Sequence, residues 1–161
     1  MLKKNILYIS FHRPRNLIGY LIAGWTLGKY SHTEFIYNGN VYLANPGGIR
    51  KQPLKIKKNY DIFKLHEHIE IEDILEFFGK NEGKGYDYLA ILGSQFLYFL
   101  GLEDKEKYFC SEFCLAAIDY ALQYTLTYKG KGLEKRYHKF NPERLYKYLK
   151  FMELIKEKEV I

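Results

Sequence analysis

Two short apolar runs, His32 to Tyr37 and Val41 to Ala44, flank the tripeptide Asn38-Gly39-Asn40, and no other feature constrains the chain more. Asn-Gly between apolar runs is the pattern of a tight hairpin turn, whose central residues must take positive φ. An antiparallel pair is not stable alone, so it needs further strands and a layer to cover one face. The sequence offers both. Asn5 to Phe11 (NILYISF) reads as an earlier strand. After the break at Pro46-Gly47-Gly48, extended segments at Ile49 to Leu54 and Tyr60 to Leu65 complete a small antiparallel sheet.

Helical spacing supplies the covering layer. Pro14 opens a segment, Asn16 to Leu27, in which Leu17, Ile18, Leu21, Ile22 and Trp25 recur on one face, expected to pack onto the sheet before Gly28 ends the helix. Ile71, Ile74, Leu75 and Phe78 mark a helix over Glu70 to Phe78, followed by a glycine-rich link, Gly79 to Gly85. Tyr86 to Leu102 carries one charge, Asp87, in 17 residues. It is shorter than the roughly 20 residues of a membrane span and holds polar and glycine positions, so a buried helix is expected rather than a transmembrane segment. A charged turn, Glu103 to Lys107, leads to Ser111 to Tyr124, whose few polar positions predict a central helix. Asn141-Pro142 then caps a last one, Glu143 to Leu154.

The fold class is therefore α+β, in one domain over 1–161. A hydrophobic content of 47% is ample for one core, and no repeat or low-complexity tract suggests a second unit. The net charge of +6 comes from scattered lysines such as Lys3-Lys4, Lys55-Lys57-Lys58 and Lys129-Lys131. Such a surface attracts anionic partners, although scattered lysine also serves plain solvation. Basic and aromatic residues fall together in no nucleic-acid module, which disfavours that class. Lys3-Lys4 precedes only the short apolar run Ile6 to Phe11, too short for a signal-peptide core, so a cytoplasmic location is expected, with peripheral membrane association as the alternative.

Chemistry concentrates at two places. Cys110 lies just ahead of the helix Ser111 to Tyr124, where unpaired N–H groups and the helix dipole favour a thiolate. Cys114, one turn further in, reads as core packing. The pair makes neither a disulfide, for which i,i+4 geometry is poor, nor a zinc site. A thiolate also needs a base, and His32, opening a strand after Ser31, is the best placed of five histidines. Glu34 follows by two, on the same strand face, where a carboxylate orients an imidazole. His66-Glu67-His68 lacks an adjacent third ligand and reads as a solvated turn, while His12 and His138 sit among basic residues with no distinguishing pattern.

Ser-His-x-Glu early, a Gly-Gly turn after the hairpin, Gly-x-x-Tyr-Asp-Tyr before an apolar helix, Phe-Cys-Ser-Glu late and Asn141-Pro142-Glu143-Arg144-Leu145 at the end form an ordered set from Ile9 to about Tyr148. In that order the chain resembles the circularly permuted NlpC-type papain-like hydrolases, the YiiX/YaeF group, which place the His strand before the Cys helix. The resemblance implies Cys110 as nucleophile and His32 as base, with Glu34 as first choice for the third member and Asn45 as second, because Leu43 stands where a polar residue of the next strand would serve. It implies that Tyr86 and Asp87 line or support the cleft, that Ser31 and Ser111 flank the reacting pair, and that Glu112 caps the helix or supports the site.

The implied activity is an amidase or peptidase that cleaves an amide or related acyl bond through a thioacyl-enzyme, with no metal or organic cofactor. Peptides, cell-wall peptides and acyl lipids are the substrate classes. An acyl-lipid hydrolase or acyltransferase, or a catalytically silent lipid- or polymer-binding protein of the same fold, is the alternative.

Overall fold

The hairpin forms where Asn-Gly stands. In this computed structural model, which describes residues 2–45, 48–83, 110–133 and 136–159, Asn38 and Gly39 take φ of 47° and 74° and join β2 (His32–Tyr37) to β3 (Asn40–Asn45). Around it lie β1 (Tyr8–His12), β4 (Gly48–Pro53), β5 (Tyr60–Leu65) and β8 (Ile155–Lys158). The sheet has six strands in the order β4-β3-β2-β1-β5-β8, every neighbouring pair antiparallel.

β1 is an inner strand of this sheet and is buried along its whole length. The strand expected over Asn5 to Phe11 is shifted toward the C-terminus, because Asn5 turns the chain with φ of 58°. That shift brings His12 into the sheet. Leu7, Ile9 and Phe11 face the main core, and Tyr8 joins Ile36, Val41, Leu43 and Ile62 in a smaller cluster.

The main core is closed by α3 (Cys110–Ala121) and α2 (Ile71–Asn81). Phe113 of α3 meets Phe35 of β2 at 6.5 Å and Phe77 of α2 at 5.7 Å between ring centroids. Each such buried ring contributes about 2 to 3 kcal/mol by the area it removes from water. α2 runs on through Gly79, where a loop was expected. Gly79 costs a helix about 1 kcal/mol relative to alanine, but the continued turn buries Asn81. The Asn81 side chain donates to the Phe77 carbonyl at 2.7 Å.

Two expectations are corrected at the C-terminal end. The helix foreseen over Glu143 to Leu154 is α4 (Pro142–Phe151), with the Asn141 side chain accepting from the Arg144 N–H. Glu153, at φ of 56°, turns the chain so that Ile155–Lys158 adds a strand to the sheet. A small hairpin of β6 (Thr127–Tyr128) and β7 (Lys131–Gly132) was not foreseen, since two-residue strands leave no periodicity to read.

The largest correction concerns α1 (Leu17–Trp25). Asn16 caps it, accepting from the Gly19 N–H at 2.8 Å. Leu17 and Leu21 of the face expected on the sheet are instead 76% and 53% exposed, and Tyr20 beside them is 62% exposed. Gly19 and Ala23 are buried instead, while Gly24 is exposed. Helical spacing identifies a face but not the direction in which it points.

No helix among the described residues is long and apolar enough to cross a membrane. The stretch expected as a buried helix, Tyr86 to Leu102, and the turn at Glu103 to Lys107 lie outside the described residues.

Gly39 tests the hairpin directly. Nothing lies within 4 Å of a Cβ built there, so only its positive φ resists a side chain. Gly39→Ala is expected to cost about 1 kcal/mol, read as a lower urea midpoint at unchanged slope. An unchanged midpoint would show that the turn does not need the glycine.

Candidate active site

The register of β1 against β2 sets His12 opposite His32 and Ser10 opposite Glu34. Side chains alternate along a strand, so all four belong to one face of the sheet. Glu34, only 4% exposed, lies between the two rings: its Oε1 is 3.3 Å from His12 Nε2 and its Oε2 3.4 Å from His32 Nε2. A carboxylate only accepts, so each Nε2 carries the proton. Ser10 Oγ also lies 3.0 Å from His12 Nε2. Tyr60, the neighbour of His12 on β5, stacks on its ring at 3.6 Å and 15°.

His32 opens β2, so its ring stands at the end of the sheet where the first turn of α3 arrives. There it hydrogen-bonds Cys110, and the backbone N–H groups of Thr33 and Ser111 also point at the sulfur. With Nε2 given to Glu34, Nδ1 is the ring nitrogen left for the thiol. Cys110 is buried, while the His32 side chain keeps 23% exposure.

The electrostatics follow from this packing. Burial pushes the Cys110 thiol up, but the charge and hydrogen bond of His32, together with the N–H groups of Thr33 and Ser111, outweigh it and hold the thiol below its ordinary value. Burial likewise disfavours a charged His32, yet Cys110 and Glu34 together raise it above the ordinary imidazole range. Glu34 is pushed up by burial and brought down to about 2 by its bonds to His12 and His32. His12 goes the other way, lowered to about 4 mainly by burial, and is therefore a neutral donor to Glu34 at neutral pH. Cys114 is raised well above its ordinary value, first by burial and then by the charge of Cys110.

A second buried carboxylate fixes the approach to His32. Asp61 of β5 lies 2.9 Å from Lys29 Nζ, 3.4 Å from Arg13 and 2.7 Å from Lys158, and accepts from the Tyr30 hydroxyl at 2.9 Å. Burial pushes its carboxyl up, but Lys158, Lys29 and Tyr30 hold it at about 2. On the other side, Glu143 at the start of α4 accepts from the Lys29 backbone N–H at 2.8 Å. The segment Lys29-Tyr30-Ser31 that delivers His32 is thus tied at both ends.

The expected site residues are distributed as follows. Cys110, His32 and Glu34 are brought together. It is Glu34, not Asn45, that meets His32; Asn45 ends β3, with its Oδ1 buried and unbonded among the described residues. Ser31 supports the site through His12, its N–H and Oγ donating to the His12 carbonyl at 2.9 and 3.3 Å. Ser111 directs its side chain away, donating to the Phe140 carbonyl at 2.6 Å, and leaves its backbone N–H to the sulfur. Glu112 is half-buried in the first turn of α3. Tyr86 and Asp87 lie outside the described residues.

His12 is the residue that sequence reasoning missed. The signal was available in the spacing: Ser10 and His12 share a strand face, and a buried polar pair inside an otherwise apolar strand needs a partner. The ligand atoms of His12, His32 and Glu34 lie within 4.8 Å of one another, a set that could hold a metal ion. The hydrogen bonds among them already account for that closeness. Comparison with protein-family models, curated proteins and solved structures finds no match for this chain.

The pH dependence of stability tests the assignment of His12. Its folded pKa of about 4 lies below the ordinary 6.5, so between these values the unfolded chain binds more protons. Stability is therefore fully present above pH 6.5 and declines as pH falls toward 4, by up to about 3 kcal/mol. His12→Gln is expected to flatten this limb in urea titrations across that window. A slope identical to the parent's would show that His12 is not buried neutral.

Proposed function

We propose that this chain is a cysteine-dependent hydrolase of amide or related acyl bonds, with Cys110 as nucleophile, His32 as general acid and base, and Glu34 as the residue that orients His32. The observation that carries the reading is a buried thiol held below its ordinary pKa by an imidazole whose far nitrogen is fixed on a buried carboxylate. A resting thiolate–imidazolium pair is the activated form of such a nucleophile.

The Cys110 sulfur attacks the carbonyl carbon, and the carbonyl π pair moves to oxygen. In this reading, backbone N–H groups at the start of α3 receive that oxyanion. His32 then gives its Nδ1 proton to the leaving nitrogen or oxygen as the bond to carbon breaks. The thioacyl-enzyme remains. Water, deprotonated by the now neutral His32, attacks the thioester, and the thiolate leaves with the proton back on His32. Throughout, Glu34 accepts from Nε2 and holds the ring in the tautomer that leaves Nδ1 free. His12 and Ser10 hold Glu34 and its strand in turn, as positioning residues.

The pair exists above the depressed pKa of Cys110 and disappears above the raised pKa of His32, so activity is expected to be bell-shaped between those limits. Rates of alkylation by iodoacetamide, followed residue by residue by mass spectrometry, test the reading without a known substrate. Cys110 is expected to react quickly well below pH 8.5, and Cys114, fully buried with a raised pKa, to stay inert on the same helix. His32→Ala should return Cys110 to an ordinary thiol, slowing its reaction near neutral pH by about tenfold or more. Should Cys110 react no faster than Cys114, or ignore His32, the hydrolase reading fails.

Glu34→Gln separates orientation from nucleophilicity. Removing the carboxylate lowers the His32 pKa, so less imidazolium faces the sulfur, and the apparent pKa of Cys110 is expected to rise while the thiol stays in place. An alkylation profile superimposable on the parent's would remove Glu34 from the catalytic group.

A further inference from the structure

α1 carries no charged residue, yet it exposes Leu17, Tyr20 and Leu21 at the surface. Leu17, Tyr20 and Leu21, spaced i, i+3 and i+4, form one exposed stripe. Leu27, two residues past the helix, is 91% exposed. Large side chains in such a row leave water only where something receives them.

The surroundings say what kind of surface that is. Residues 1–33 hold Lys3, Lys4, Arg13, Arg15 and Lys29 and no Asp or Glu; Glu34 is the first carboxylate in the chain and is buried. Beside α1 runs an open groove of about 780 Å³ whose charged lining is cationic: Arg13, Arg15, Lys29, Lys57 and Lys58. Tyr20 belongs to both the helix stripe and the groove, so the apolar and basic features form one continuous surface. Asp61 offsets part of the charge of Arg13 and Lys29, but it already meets Lys158 as well.

We propose that α1 and this groove form a docking surface for an anionic lipid bilayer. Leu17, Leu21 and Leu27 enter the acyl region, Tyr20 sits at its boundary, and the arginines and lysines of the groove meet lipid phosphates. Charge selects this occupant over a second copy of the chain, because two such faces would bring like charges together. Protruding leucines also suit a fluid acyl layer, which adapts to them, better than a protein face that must be shaped to fit. Arg13 follows His12 directly, and the Lys57 charge reaches His12. The docking surface thus lies at the end of the sheet that carries the candidate active site, although the proposal does not depend on the hydrolase reading.

Flotation of the full chain with phosphatidylcholine–phosphatidylglycerol vesicles, against pure phosphatidylcholine, is the test. Binding is expected to the anionic vesicles, weaker by about tenfold on the neutral ones and falling as sodium chloride is raised. Leu17→Glu/Leu21→Glu and, separately, Arg15→Glu/Lys57→Glu should each abolish it. These side chains are exposed and stand outside the catalytic group, so circular dichroism and the thermal midpoint should match the parent's. No binding to either vesicle, equal binding to both, or double variants that bind as the parent does would overturn the proposal. Sedimentation velocity covers the rival occupant: a concentration-dependent dimer that Leu17→Glu/Leu21→Glu dissolves, without vesicle binding, assigns the face to a second copy.

Discussion

The Glu34 carboxylate sits almost out of water in the middle of an antiparallel pair, and an isolated charge in that position would cost several kcal/mol. It is tolerated because each oxygen has an imidazole N–H within 3.4 Å, one from its own strand and one from β1. That requirement fixes much else. Only the observed register brings His12 level with His32, and a one-residue slip would carry His12 to the opposite face. Ser10, Ser31 and Tyr60 then secure His12 by its ring and its carbonyl, so the neutral donor cannot turn away from the carboxylate.

Asp61 repeats the same solution with different partners. Where Glu34 is met by two imidazoles, Asp61 is met by Lys29, Arg13, Lys158 and the Tyr30 hydroxyl, drawn from the residue after β1, the approach to β2 and β8. The two carboxylates flank one sheet end from opposite faces: Glu34 organises the groups around His32, and Asp61 organises the chain that leads to it. A buried ion pair adds little net stability once desolvation is counted, but breaking one is expensive. Such pairs therefore specify geometry, and here the geometry is that of the segment Lys29 to Glu34.

Much of this was legible in the sequence where local chemistry decides. Asn-Gly set the hairpin, Asn141-Pro142 set the start of α4, and alternation placed His32 and Glu34 on one face. Cys110 at the head of a helix was legible for the same reason, since a polar break before an apolar run marks a helix start. What was not legible depends on partners distant in sequence. His12 looked like one of several basic residues near Arg13, because its role comes from strand pairing that sets it opposite His32, 20 positions on, and beside Glu34. Asp61 is silent for the same reason. β8 reads as helix because its strand character comes from the vacant edge of β5. The outward turn of α1 was hidden because spacing gives a face without giving what covers it.

The two cysteines show how little the helix decides alone. Cys110 and Cys114 lie one turn apart on α3, both buried, yet the first is held below its ordinary pKa and the second far above. The dipole fades within the first turn, and burial pushes both thiols the same way. The difference comes from β2, which sets the charged His32 ring and the Thr33 N–H beside one sulfur and gives the other no cation. Cys114 also feels the thiolate of Cys110 as a like charge, so activating one thiol suppresses the other. The lowered thiol pKa here is a property of the strand brought against the helix, and the sequence order His-x-Glu before Cys matters because it lets β2 be that strand.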